Sequence, residues 1–375
     1  MKILCAGPTS ISPEVLNALS VSKTNPDLDP NYQIFHRSVE KKISQLLNTQ
    51  ATSFFMLGEG IMGLEASIIS LVEPNDRVLV LSNGFFGAGF ADYVKFASGE
   101  PTLLEFDFRN GIDIGKLESF LEQDSNFKLA TFVHCETPSG ITNDLNAITD
   151  VFKKYNIMTV ADCVSSLGGE EIDFDKSGLD ILLGGSQKCI SAPVGITIVT
   201  ISEKAKTAIA NRKTPVNSYY MNFKNYYDFQ GAPFCYTMNE NLIYAMDVAL
   251  DQLLSRNSIE LHRTYAEITR EIIEASGLEL YAKTCPSNTV TAVLMPEGIE
   301  AETLLELMRK KNIAISKGVG YMSEKLFRIG HMGQNISEDN FKSLFKALDE
   351  CFAELGVKLN ASLYDMFCEK ISSVK

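Results

Sequence analysis

The sequence has no Cys-x-x-Cys pair and no cysteine–histidine group at zinc spacing, although it holds eight cysteines and four histidines. That excludes the common structural zinc modules. His134, His331 and the other two histidines show neither triad nor metal spacing. Several cysteines sit in apolar runs, as buried free thiols do, which fits a reducing compartment. No apolar stretch approaches membrane-spanning length. The opening residues MKILCAGPTS lack the charged region, apolar run and cleavage site of a signal peptide. A cytoplasmic location is therefore expected. Positive charge is scarce: 34 lysines and arginines face 47 acids, for a net −13. This argues against nucleic acid and anionic membrane as partners. A small-molecule enzyme is the class left standing.

The 375 residues suffice for a large core and two or three domains. Short apolar runs at 52–57, 77–81, 102–105, 128–133, 157–161, 180–183 and 195–200 read as strands. Stretches with helical periodicity lie between most of them, at 61–72, 86–97, 113–122 and 144–155. Such alternation predicts an α/β fold with a mostly parallel, seven-stranded sheet covered by helices. Ser12-Pro13-Glu14 reads as a helix start. The stretch 24–31 (TNPDLDPN) reads as a loop. Residues 240–276 are helical in character, and a smaller α+β unit follows. Its strands are expected near 278–282, 289–295 and 313–316, with helices at 300–311 and beyond 337. The domains are read as 1–257 and 258–375, with residues 1–14 as an arm packing on the smaller one.

Lys188 is the leading catalytic candidate. The run LDILLGGSQKCISAPVG places it at a strand end between two apolar segments. Desolvation there lowers an amine's pKa and makes it a nucleophile able to form a Schiff base. A solvated loop lysine is the plain alternative. Gly58, Gly60 and Gly63 in LGEGIMGLEAS spell G-x-G-x-x-G after a strand and before a helix, where backbone N–H groups bind phosphate. A dinucleotide site needs an acid about 20 residues on; Ser82-Asn83 end the next strand instead. A single phosphate, or a tight packing turn, remains. Asp162 in MTVADCVSSLGG ends a strand, where open α/β sheets bind ligands. Beside a cationic ring nitrogen it would stay ionised; capping of the next turn is the alternative. Thr137 and Ser139 in HCETPSG offer hydroxyls at the same edge, and Phe85-Phe86 offer a flat apolar face. Arg328 in FRIGHMG is a candidate fork for a carboxylate, or else a surface ion pair.

Taken in order, GEGIMGLEA, NGFFG, HCETPSG, ADCVSSLGG, GGSQK and FRIGHMG resemble the class V aminotransferases, a pyridoxal-phosphate family of fold type I. The resemblance runs from AGPTSISPEVLNAL to about residue 350. The family includes alanine–glyoxylate, serine–pyruvate and 2-aminoethylphosphonate–pyruvate aminotransferases. The resemblance implies pyridoxal 5′-phosphate as cofactor, Lys188 as its Schiff-base lysine and Asp162 as partner of its ring nitrogen. It also implies Phe86 as the stacking aromatic and Thr137 as the hydroxyl beside the ring oxygen. The phosphate cup would be formed by Gln187 and the backbone at Glu59, Gly60 and Ile61. Thr237 would reach the partner subunit's phosphate in a homodimer, and Arg328 would hold the substrate's acid group. Glu59 departs from the serine common at its position. Its side chain is expected to point away from the phosphate while its N–H donates. The segment NPDLDPNYQIFHRS departs too, which leaves the substrate open.

The implied reaction is ping-pong transfer of an amino group from an alanine- or serine-type donor to glyoxylate or pyruvate. Aminoethylphosphonate is an alternative donor. A cysteine desulfurase is a rival on the same cofactor and would need Cys285 or Cys351 on a reactive loop. A nicotinamide dehydrogenase would explain the glycines but lacks the acid.

Overall fold

The computed structural model describes residues 1–228 and 234–374. Its centre is a seven-stranded sheet of β1 (Thr52–Leu57), β2 (Arg77–Ser82), β3 (Glu100–Glu105), β4 (Leu129–Val133), β5 (Met158–Asp162), β6 (Ile181–Gly185) and β7 (Ile196–Ile201). The spatial order is β1-β7-β6-β5-β4-β2-β3. β2 to β6 pair in parallel, while β7 runs antiparallel to both β6 and β1. Every residue of β4, β5, β6 and β7 is buried. This is why they read as unbroken apolar runs rather than alternating ones: helices cover both faces.

The topology selects one edge for ligands. β1 is antiparallel to β7, which is antiparallel to β6, so β1 points the same way as β2 to β6. From β2 the chain moves outward to β3, then crosses to β4 on the other side. The carboxyl ends flanking such a reversal form the crevice of open α/β sheets. Helix α3 (Gly60–Leu71) follows β1, and α4 (Phe85–Phe96) follows β2. Both begin at this edge.

Two N-terminal helices precede the sheet. In α1 (Pro13–Leu19) the Ser12 hydroxyl accepts from the Val15 N–H at 3.3 Å. The 17-residue α2 (Pro30–Leu46) was not expected. It starts by the same device, with Pro30 at its first position and Asp29 accepting from the Asn31 N–H at 2.9 Å. The Pro/Asp/Asn-rich stretch taken for a loop is in its last residues a helix cap.

Beyond residue 258 a second core gathers Tyr265, Ile272, Phe327, Phe341, Phe345 and Phe367. It packs on a three-stranded sheet of β8 (Val290–Leu294), β9 (Ser316–Lys317) and β10 (Leu326–Gly330), in the order β8-β10-β9. The strand expected at 278–282 is only a single bridge, Leu280 to Val293. The central β10, holding Arg328, was not expected as a strand. Its LFRIG is buried throughout despite the arginine. The first residues belong to this second core. Lys2–Ile3 pair in parallel with Ile313–Ala314, and Leu4 is fully buried there. From that anchor the chain crosses to the large sheet, where the Thr9 N–H donates to the Gln187 carbonyl at 3.0 Å.

Candidate active site

Five strand ends deliver the candidate residues to one edge: β1 carries Glu59, β2 Phe86, β4 Thr137, β5 Asp162, and β6 Gln187 and Lys188. Lys188 is partly buried in the turn after β6. Its Nζ donates to the Ala6 carbonyl at 2.7 Å. The neighbouring Gly7 has φ +89°, and a Cβ there would stand 2.4 Å from Lys188 Cδ and 2.7 Å from Nζ. Only glycine serves at that position, on conformational and steric grounds. Thr9 Oγ1 donates to the Lys188 carbonyl at 3.0 Å and completes the cover. Burial pulls the Lys188 pKa down, and the Arg328 charge adds to this; Glu59 opposes it.

Asp162 is buried at the end of β5, with one oxygen accepting from the Val164 N–H at 2.8 Å. Burial pushes its pKa up to about 6; the Val164 N–H and Lys188 pull the other way, and Glu59 adds to the rise. Lys188 thus sits in the fields of Arg328 and Glu59, and Asp162 in those of Lys188 and Glu59. The carboxylate has no cation in hydrogen-bond contact among the described residues. A buried acid in that condition is suited to a cationic ligand.

Arg328 Nε donates to the Lys317 carbonyl at 2.9 Å, and Nη1 to the Thr137 carbonyl at 3.2 Å. Two backbone oxygens therefore aim the guanidinium, and Nη2 carries no hydrogen bond among the described residues. Burial lowers the Arg328 pKa to about 10, so it stays charged at neutral pH. Thr137 Oγ1 is hydrogen-bonded to Ser165 Oγ. Phe86 is half-buried, edge to face with the exposed Phe85 at 5.5 Å between centroids.

Glu136 escaped the sequence reading, although it stands between Cys135 and Thr137 in HCETPSG. Its buried carboxylate accepts from the N–H groups of Phe86 at 3.2 Å and Gly87 at 2.6 Å. It pins the start of α4, and with it the Phe86 ring. A Cβ at Gly84 would lie 2.4 Å from Glu136 Cδ, so the glycine makes room for the acid. Burial raises the Glu136 pKa to about 7 against those N–H groups. The available signal was an acid three residues beyond a continuous apolar strand.

At the other end of the pocket the expectation for Glu59 fails. Its side chain does not turn away. It folds back over the start of α3, where Oε2 accepts from the Ile61 N–H at 2.9 Å, and it accepts from Gln187 Nε2 as well. The free N–H groups and positive end of the helix attract any nearby anion, and a carboxylate one residue before the helix is within reach. Gly60 permits the close start, since a Cβ there would lie 2.7 Å from Val164 Cγ2. Thr237 does not join the cluster within one chain: its exposed hydroxyl donates to Asp27 Oδ2 at 2.6 Å.

The family model for class V aminotransferases matches residues 6–330. An uncharacterized aminotransferase of Methanocaldococcus jannaschii is 33% identical, with 96% of this chain and 94% of that protein covered. The serine–glyoxylate aminotransferase of Arabidopsis thaliana is 30% identical over 88% of this chain and 85% of its own. Among solved structures, the pyridoxamine–pyruvate aminotransferase of Mesorhizobium loti superposes with a TM-score of 0.94 at 28% identity, covering all of this chain and 98% of that one.

Proposed function

The chain belongs to the class V aminotransferases and has the fold type I architecture, and on that premise we propose that it moves an amino group from a small donor to a small 2-oxo acid such as glyoxylate or pyruvate, using a pyridoxal-type ring. The observation that carries this reading is a partly buried lysine of lowered pKa beside a buried aspartate that has no cation in hydrogen-bond contact among the described residues, both at one sheet edge. The ring end of the pocket fits such a group. Asp162 offers a carboxylate to a ring N–H, Phe86 an apolar face, and the Thr137–Ser165 pair hydroxyls for a ring oxygen. The phosphate end does not fit pyridoxal phosphate as it stands, because the Glu59 carboxylate already occupies the start of α3.

When bound, a pyridoxal-type ring supplies an electron sink. The chain supplies the rest. Lys188, whose pKa is lowered by burial, would take the proton from the substrate's Cα and return it to the ring's exocyclic carbon on the far side of the amino nitrogen. Asp162 keeps the proton on the ring nitrogen. Arg328, fixed by two carbonyls, receives the substrate carboxylate and sets which Cα bond lies across the ring.

The donors in the relatives' names include serine and pyridoxamine, and the acceptors are glyoxylate and pyruvate. Aminoethylphosphonate remains the alternative donor to test. The desulfurase rival finds no support at Cys351, which is buried against Met308 Sδ at 3.6 Å, and keeps only the exposed Cys285; the likeness to a cysteine desulfurase at 12% identity is one of fold. We also propose a homodimer. Ile61, Phe85 and Val194 are exposed, lie close in sequence to the site segments, and are apolar surface that a second copy would cover. Thr237 would act from that copy. All eight cysteines are free, in keeping with a reducing, cytoplasmic setting, and no helix among the described residues is long and apolar enough to cross a membrane.

The test is transfer of nitrogen-15 from labelled donors to glyoxylate or pyruvate, read by mass spectrometry, with pyridoxal and pyridoxal phosphate each supplied. Label in glycine or alanine is expected with at least one donor. No transfer from alanine, serine, pyridoxamine or aminoethylphosphonate would end the reading.

A further inference from the structure

Resting on the aminotransferase reading, a narrower question is what the pocket does with the substituent at the far end of the ring. The start of α3 is where the fold would receive an anion, since its first N–H groups point there. That place is taken by the chain's own anion. The Ile61 N–H donates to Glu59 Oε2 at 2.9 Å, and Gln187 Nε2 donates to Glu59 Oε1. Gln187 is 3% exposed, and its other polar atom, the buried Oε1, has no hydrogen-bond partner among the described residues. The start of α3 therefore presents a carboxylate, an acceptor, and the buried Gln187 Oε1 behind it is an acceptor as well. The pocket's two cations are turned elsewhere, Lys188 to the Ala6 carbonyl and Arg328 to those of Lys317 and Thr137.

A phosphate dianion also brings acceptors only. Set beside Glu59, it would place about three negative charges at a helix terminus worth roughly half a positive one. A hydroxymethyl group differs in kind: it has one O–H to donate and lone pairs to accept with. Its donor matches the partly exposed Glu59 carboxylate, and it adds no charge.

We propose that this site takes the unphosphorylated ring, pyridoxamine or pyridoxal, and that Glu59 with Gln187 selects against the 5′-phosphate. A ring without a phosphate anchor exchanges with solvent, so pyridoxamine serves as amino donor in its own right. The reaction balances without a further oxidant. The ring's CH2–NH2 carbon loses two electrons and becomes the aldehyde. The 2-oxo carbon gains them with the amino group and a hydrogen, and its oxygen passes to the ring carbon by way of water.

Equilibrium dialysis of the purified full-length protein against pyridoxamine, and separately against pyridoxamine 5′-phosphate, tests this without covalent chemistry. Pyridoxamine is expected to bind at least about tenfold more tightly. Glu59→Ser should invert the preference, and Glu59→Gln, which keeps an acceptor but not the charge, should narrow it. Tighter binding of the phosphorylated amine by the unaltered protein overturns the proposal and leaves the aminotransferase reading intact. Binding of neither compound overturns both.

Discussion

Two carboxylates share the site, and they stand in opposite condition. Asp162 is buried, accepts one backbone N–H and has its pKa pushed up to about 6. Glu59 is partly exposed and has a helix N–H and a glutamine amide for its two oxygens. The first is an anion kept short of partners, at a cost in stability, which suits a ligand that brings positive charge. The second is an anion already satisfied, which suits a ligand that brings none. A count of acidic residues would treat them alike; their hydrogen bonds separate them.

The sharpest way to break the contrast is to remove the groups that give the Asp162 end its chemistry. Lys188→Ala should lower amino transfer by at least about four orders of magnitude while ring binding by dialysis survives. Near-normal transfer would dissociate the buried amine from the reaction. Asp162→Asn should cost ~10³-fold in rate, yet make the empty protein more stable at pH 8. The sign follows from its raised pKa. The folded carboxyl holds its proton up to about pH 6, whereas the unfolded one releases it near 3.8. Stability is therefore lost as pH rises between those values and stays lost above, by about 3 kcal/mol at most. Urea denaturation should show the variant's advantage at pH 8 and little difference near pH 4. An equal or lower stability at pH 8 would mean that Asp162 is not held at a cost. Arg328→Lys should raise KM for carboxylate substrates by ~10–100-fold, because a point charge cannot copy a fork held by two carbonyls. An unchanged KM would move substrate binding elsewhere.

Much of the Asp162 end was legible in sequence, and little of the Glu59 end. β5 and β6 are unbroken apolar runs closed by Asp162 and by Gly184-Gly185, so their ends, and Lys188 beyond, follow from local pattern. The direction of a side chain at a helix start depends instead on what another strand brings beside it. Nothing in GEGIMG announces that Gln187, 128 residues away, will hold Glu59 down. Glu136 was hidden for a similar reason, since its partners are N–H groups of Phe86 and Gly87 on a different strand end. α2 was lost to a composition rule that counts proline and aspartate as loop formers. β10 was lost because Arg328 interrupts its apolar run, although carbonyls from Lys317 and Thr137 make the arginine's burial tolerable.

The smallest expected effect is also the one that weighs the two acids in a single experiment. If Asp162 must be ionised to pair with a ring cation, ring binding should weaken as pH falls through about 6. One pH step below that value leaves roughly a tenth of the carboxyl ionised, so pyridoxamine affinity should drop about tenfold between pH 7 and pH 5. Asp162 is faced by Lys188, Glu59, the Val164 N–H and, across the pocket, Glu136, whose pKa lies near 7. Glu136 titrates in the same range, so Glu136→Gln is needed to assign the change, and the dependence should persist in that variant. In Asp162→Asn it should vanish, with weak binding at both pH values. Glu59→Gln should keep the dependence but move it to lower pH, because the Glu59 charge adds to the rise of the Asp162 pKa without contacting the ring nitrogen. A slope that followed Glu59 and ignored Asp162 would reverse the assignment of the two ends.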